Sequence, residues 1–114
     1  MSRVYKVMSA DDWRRAEAGG AFTGAAVDLA DGYIHLSTAD QVAETLRRHF
    51  AGRDDLVLVG FEAEALGAAL KWEPSRGGAL FPHLYGPLPS GLAASVAPLA
   101  RDAAGAFVLP EPIP

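Results

Sequence analysis

The stretch DGYIHLSTADQVAETLRRHFAG, Asp31 to Gly52, carries two periodicities back to back. Tyr33 to Ser37 alternates in twos and reads as a short strand. Ile34 and Leu36 share one side, and His35 and Ser37 share the other, about 7 Å apart at ~3.3 Å per residue. From Thr38 the rhythm changes. Thr38 and Gln41 have capping-box spacing, Val42, Leu46, His49 and Phe50 recur at helical intervals, and Gly52 closes the segment. A strand therefore runs directly into a capped helix.

Outward from this stretch, strands and helices mix without regular alternation. RVYKVM, Arg3 to Met8, alternates with Val4, Lys6 and Met8 on one side and Tyr5 and Val7 on the other. Ser9, three residues before Asp12, opens a helix towards Ala18 that docks through Trp13 and Ala16, and Gly19-Gly20 stops it. FTGAAVDLADG, Phe22 to Gly32, reads as a loop by composition. DDLVLVGFEA reads as a buried strand, EALGAAL as a short helix or turn, and KWE as an extended piece with Trp72 in the core. Pro74 to Pro82 is too punctuated for regular structure, and HLYG is a brief extended piece. ASVAPLA and AFVLP flank RDAAG as a hairpin, with Pro98 on an edge or at a bulge, and the tail PEPIP is irregular. There is no GxGxxG, no GxxxxGK[ST] and no long internal repeat. The prediction is one domain over residues 1–114, α+β, with a bent or split, mostly antiparallel sheet and two main helices.

Composition bounds function. The chain has 114 residues, 10 basic and 14 acidic, for a formal charge of −4. Its arginines are scattered, so general binding to a nucleic-acid backbone is not expected, although a few arginines are enough to recognise one phosphate or an RNA end. With no cysteine, disulfides and thiolate chemistry are excluded. No run approaches the ~18–20 apolar residues of a membrane span, and MSRVYKVMSADDW lacks the core of a signal peptide. The expected location is the cytoplasm.

Three polar clusters are candidates for a site. His35 points away from Ile34 and Leu36, beside Tyr33 and Ser37; the plain alternative is a structural histidine bonded to a carbonyl. The helix start at Ser37 and Thr38 favours an anion. FPHLYGPLP, Phe81 to Pro89, repeats the two-residue spacing with His83 and Tyr85 on an arm stiffened by Pro82 and Gly86-Pro87. Rings held so stack on planar ligands at little entropic cost; the alternative is that Tyr85 only plugs a rim. Glu73 stands at the mouth of the SRGG loop, in which Arg76 is the natural anion clamp. Two histidines and a glutamate raise zinc or iron, but no HxH, HxxxH or HExxH spacing supports it, and no metal is expected. His49 follows the helix's apolar rhythm and reads as structural.

IHLSTA, KWE and FPHLYGPL, with the initial VYKV, resemble an uncharacterised bacterial family of domains of unknown function, over nearly the whole chain. Its members are grouped by fold with the ADP-ribosyltransferase-like superfamily, which also holds RNA 2′-phosphotransferases. Some members carry a glutathione S-transferase-related label, for which this chain is too short. The resemblance implies a split antiparallel sheet with a cleft for NAD as substrate. It also implies transfer to a nucleotide, an RNA end or a small molecule. The matching positions are Lys6, His35 with Ser37, Glu73, and His83 with Tyr85. On that pattern His35 and His83 bind phosphate or ribose, Tyr85 or Tyr33 stacks on a base, and Glu73 stabilises the oxocarbenium-like ribose. Family members often carry a histidine in the first strand, where this chain has Lys6. Two alternatives stay open: a non-enzymatic module for a small molecule or peptide, and motifs that only determine the fold. The decisive question is whether the His35 and His83 segments meet.

Overall fold

The computed structural model describes residues 2–114; Met1 and the side chain of Arg76 lie outside the described residues. Two antiparallel sheets carry the fold. In the larger, β1 (Arg3–Ser9) lies between β4 (Ser37–Thr38) and β5 (Leu56–Glu62), and β9 (Ala93–Pro98) forms the far edge. In the smaller, β7 (Leu80–Leu84) lies between β3 (Ile34–His35) and β6 (Leu70–Pro74). Two short ribbons join β2 (Ala21–Phe22) to β8 (Leu88–Pro89), and β10 (Ala100–Arg101) to β11 (Phe107–Val108). The sheet is thus split, and the chain crosses from one half to the other at Leu36.

The alternation of β1 explains the layers. Val4 and Met8 enter one apolar cluster with Trp13, Ala16, Phe22 and Phe61, while Tyr5 and Val7 enter another with Val42, Leu46, Leu58 and Leu99. The first cluster lies under α1 (Ala10–Gly19) and the second under α3 (Val42–His49). The larger sheet is therefore covered on both faces, which is why LVLVGFE is apolar almost throughout. Both helix starts behave as their spacing predicts. Asp12 N donates to Ser9 Oγ at 3.0 Å, and Thr38 N donates to Gln41 Oε1 at 3.0 Å. Gly20 ends α1 in the left-handed region at φ 92°, which glycine adopts without strain. Gly60 serves a different need: a Cβ there would lie 2.5 Å from Ser95 Oγ and 3.1 Å from the Tyr5 ring. It sits where the register shifts against β9.

Several sequence expectations need correction. The supposed loop from Phe22 to Gly32 contains α2 (Ala26–Asp31). That helix is one and a half turns long and has no apolar stripe; an aspartate inside it, not an upstream hydroxyl, holds its start, so neither usual signal appears. Trp72 is 42% exposed, because β6, which carries it, is an outer strand of the smaller sheet. His49 is exposed, and α3 ends there rather than at Gly52. β7 starts at Leu80, inside the stretch read as irregular, and runs through Pro82. Pro82 is tolerated because its carbonyl accepts from Leu36 N (3.0 Å), just beyond the end of β3, where no ladder donor is required. Pro98 does lie on the edge strand, and the hairpin around RDAAG forms as β10 and β11. Among the described residues no helix is long and apolar enough to cross a membrane.

Candidate functional site

The two segments meet. β3 and β7 pair antiparallel with Ile34 opposite Leu84 and His35 opposite His83. Ile34 and Leu84 are buried in the core, so both histidines project from the other face. On β6, Lys71 is the partner of His83, and Glu73 lies two residues on, hence on the same face. Glu73 Oε1 accepts from His83 Nδ1 at 2.8 Å and from the Tyr85 hydroxyl at 2.8 Å. Those bonds, from His83 first and Tyr85 second, hold the Glu73 carboxyl below its usual range, and the same bond raises the Tyr85 hydroxyl.

Tyr33 joins the two histidines. Its ring stacks on His83 with centroids 4.1 Å apart and an interplanar angle of 28°. It also lies 4.7 Å from the His35 ring and 5.2 Å from Tyr85. The His35 and His83 centroids are 5.7 Å apart, edge to face. Burial and then the neighbouring Asp31 and Glu73 carboxylates raise the Tyr33 hydroxyl.

Asp28 in α2 is the centre of the other half, and sequence reasoning missed it. It is 1% exposed. Its Oδ1 receives His35 Nδ1 at 2.6 Å and His35 N at 3.0 Å, and its Oδ2 receives Ala25 N at 2.8 Å. Lys6 Nζ reaches Oδ1 at 3.2 Å and Oδ2 at 3.1 Å, and donates to the His35 carbonyl at 2.9 Å. Burial alone would raise the Asp28 pKa, but His35, Lys6 and two backbone N–H groups hold it well below the carboxylate range. Burial pushes the Lys6 ammonium down, against the pull of Asp28. The other ring nitrogen of His35, Nε2, lies 2.8 Å from Asp31 Oδ2 at the rim.

A cavity of about 590 Å³ opens beside these groups, a size common for small-ligand sites. Of the residues expected from sequence, Lys6, His35, Ser37 and His83 line it. Ser37 is buried with its Oγ 3.0 Å from Thr45 Oγ1. Glu73, Tyr85 and Tyr33 stand behind the histidines rather than on the wall. Lys6 is committed to Asp28 and the His35 carbonyl, and the Arg76 side chain lies outside the described residues. Not singled out as site residues were Asp28, Asp31, Arg53 and the third histidine, His49, which was read as structural; the last three line the same cavity. A signal for the first two existed: two acids three apart in the small-residue run AAVDLADG, four to seven residues before a histidine. Among the described residues no group of three or more His, Cys, Asp or Glu is arranged to hold a metal ion.

Residues 7–96 match the family described as Protein of unknown function (DUF952). The crystal structure of protein CC0527 from Caulobacter crescentus superposes with a TM-score of 0.90 at 50% identity, covering 94% of each chain. The solution NMR structure of the same protein gives a TM-score of 0.83 at 52% identity, covering 93% of this chain and 91% of that one. Among curated proteins, none matches this chain.

Proposed function

We propose, for a chain that belongs to the DUF952 family of proteins of unknown function, that the cleft at the split binds a nucleotide of the NAD and ADP-ribose class. The observation that carries the reading is the pairing of His35 with His83 on the wall of a cavity of about 590 Å³, with Tyr33 stacked against His83. Rings fixed by strand pairing and by carboxylates lose little freedom when a planar ligand arrives. Imidazole N–H groups and the Ser37 hydroxyl are donors for phosphate or ribose oxygens. The finer classification, ADP-ribosyltransferase-like, belongs to this proposal, and the split antiparallel sheet with a cleft at its seam supports it. NAD, as substrate, would bring a good leaving group on its ribose; His35 and His83 would bind and orient it, and the buried wall would exclude water.

A second reading, binding without turnover, is favoured by one observation. Glu73, the residue for stabilising a developing cation, is bonded to His83 and Tyr85 and does not line the cavity. Calorimetric titration with NAD and with ADP-ribose tests the common premise: saturable heat is expected, and no heat at millimolar ligand overturns it. Glu73→Gln separates the two readings, since NAD turnover collapses in the first and affinity barely changes in the second.

A further inference from the structure

All three histidines of this chain line the same cavity, and two of them are held from behind by carboxylates. We propose that His83 and His35 act as proton acceptor and donor in hydrolysing a nucleotide 2′,3′-cyclic phosphate; the inference rests on the nucleotide reading of the cleft. Hydrogen-bond chemistry assigns the roles. A carboxylate only accepts, so His83 carries its proton on Nδ1 towards Glu73 (2.8 Å) and presents the lone pair of Nε2 as the base. His35 faces carboxylates at both ring nitrogens, Asp28 at 2.6 Å and Asp31 at 2.8 Å, and with both bonds made it carries two N–H groups. Asp31 is half exposed at the rim and can yield its bond with Nε2 to a substrate oxygen, which makes His35 the acid.

The geometry suits displacement at phosphorus, where entering and leaving oxygens stand in line on opposite sides. The two rings stand edge to face with centroids 5.7 Å apart, and both line the cavity. A phosphoryl group lying over the pair, not between them, therefore sets its entering oxygen towards one imidazole and its leaving oxygen towards the other. Water attacks phosphorus and gives a proton to His83 Nε2; the bond from phosphorus to the 2′-oxygen breaks, and that oxygen takes a proton from His35. The product is a 3′-phosphomonoester, and one proton is gained and one lost by the pair.

The charges select the ester. Lys6 is neutralised by Asp28, and Arg53 is paired with Asp55, so the wall supplies proton transfer and hydroxyl donors more than net positive charge. That favours a monoanionic diester over a dianionic monoester. In a cyclic diester the leaving group is the ribose's own hydroxyl, so one nucleoside alone must be housed. Asp28 and Glu73 do not reach the phosphate in this scheme; they are positioning residues.

The test is conversion of 2′,3′-cyclic AMP by the full chain, followed by phosphorus NMR. Expected are turnover with a bell-shaped pH profile and a loss of a hundredfold or more in kcat in His35→Ala and in His83→Ala. The groups facing His35 are Asp28, Asp31, Tyr33, His83 and, through the carbonyl, Lys6; those facing His83 are Glu73, Tyr33, His35 and Lys71, with Tyr85 beyond Glu73. Glu73→Gln should keep the fold and KM, lower kcat about tenfold, and move the basic-group limb of the profile. No conversion above the buffer blank, or conversion undiminished in the double histidine variant, overturns the proposal. NAD heat without conversion overturns it while leaving the nucleotide reading standing. Conversion without NAD heat supports it and confines the cleft to mononucleotides, and the absence of both removes both readings.

Discussion

Replacing Asp28 by asparagine should cost about 3–5 kcal/mol of stability, the range for removing one partner of a buried ion pair. The structure gives the reasons. Asp28 accepts from Ala25 N, His35 N, His35 Nδ1 and Lys6 Nζ, and an amide keeps only one oxygen to share among them. Its new N–H₂ would face donors. Lys6, with a side chain 7% exposed, would keep only the His35 carbonyl at 2.9 Å. The cost has a ceiling, because Lys6 can shed its proton. Neutralising a lysine of ordinary pKa at pH 7 costs about 4.6 kcal/mol. The deficit of Asp28→Asn should therefore shrink as pH rises from 7 to 9, by up to ~1.4 kcal/mol per unit.

The assay is urea unfolding at pH 7 and pH 9, followed by far-ultraviolet circular dichroism and compared at constant slope. Lys6→Met combined with Asp28→Asn should recover at least ~2 kcal/mol over the single variant, since removing both charges leaves none buried and unpaired. A loss below ~1 kcal/mol at pH 7, or a double variant no more stable than the single, would refute the reasoning.

Acid should act through the same carboxylate. The folded pKa of Asp28 lies below the unfolded value, so the folded state binds the proton less readily; its contribution is full above about pH 4 and is lost as pH falls below that. Wild type should thus lose stability steeply below about pH 4 in urea titrations, while Asp28→Asn should show a flatter acid limb. Lys6, whose folded pKa is also lowered, works in the same direction on the alkaline side: its burial disfavours the protonated form, so stability rises with pH up to its ordinary value near ~10.4. Gly60→Ala should cost about 1–3 kcal/mol, because its Cβ would meet Ser95 Oγ at 2.5 Å; a midpoint unchanged in urea would mean that Ser95 simply turns away. Glu73→Gln should leave the urea midpoint in place and instead change the ring resonances of His83 in the proton NMR spectrum, and unchanged resonances would deny the bond a positioning role.

What was legible in the sequence was local. The alternation of RVYKVM, the caps at Ser9 and Thr38, and the glycine after α1 each depend on neighbours within a few residues, so their spacing alone announces them. The meeting of His35 with His83 was a conjecture from two matched segments, and strand pairing supports it. Trp72 and His49 were misread for one reason. Their periodicity marks a face, but how far a side chain on that face is covered depends on neighbours from elsewhere in the chain, and both positions stay exposed. Asp28 was illegible because its importance comes from donors on three separate segments, β1, β3 and the residue before its own helix.

Asp28 also ties the fold to the site. Splitting a sheet leaves backbone groups without a ladder partner, and buried ones must find another. At Leu36 the chain leaves the smaller sheet for the larger, so His35 is the last residue of β3. Its N–H goes to Asp28 and its carbonyl to Lys6. The buried ion pair therefore stands in for a missing strand, and the same carboxylate also grips the His35 ring. Stability and ring orientation cannot then be separated at Asp28. They can be separated at Glu73, which grips His83 through its side chain alone and takes no part in closing the split. A site built this way should tolerate tuning at residue 73 and resist it at residue 28.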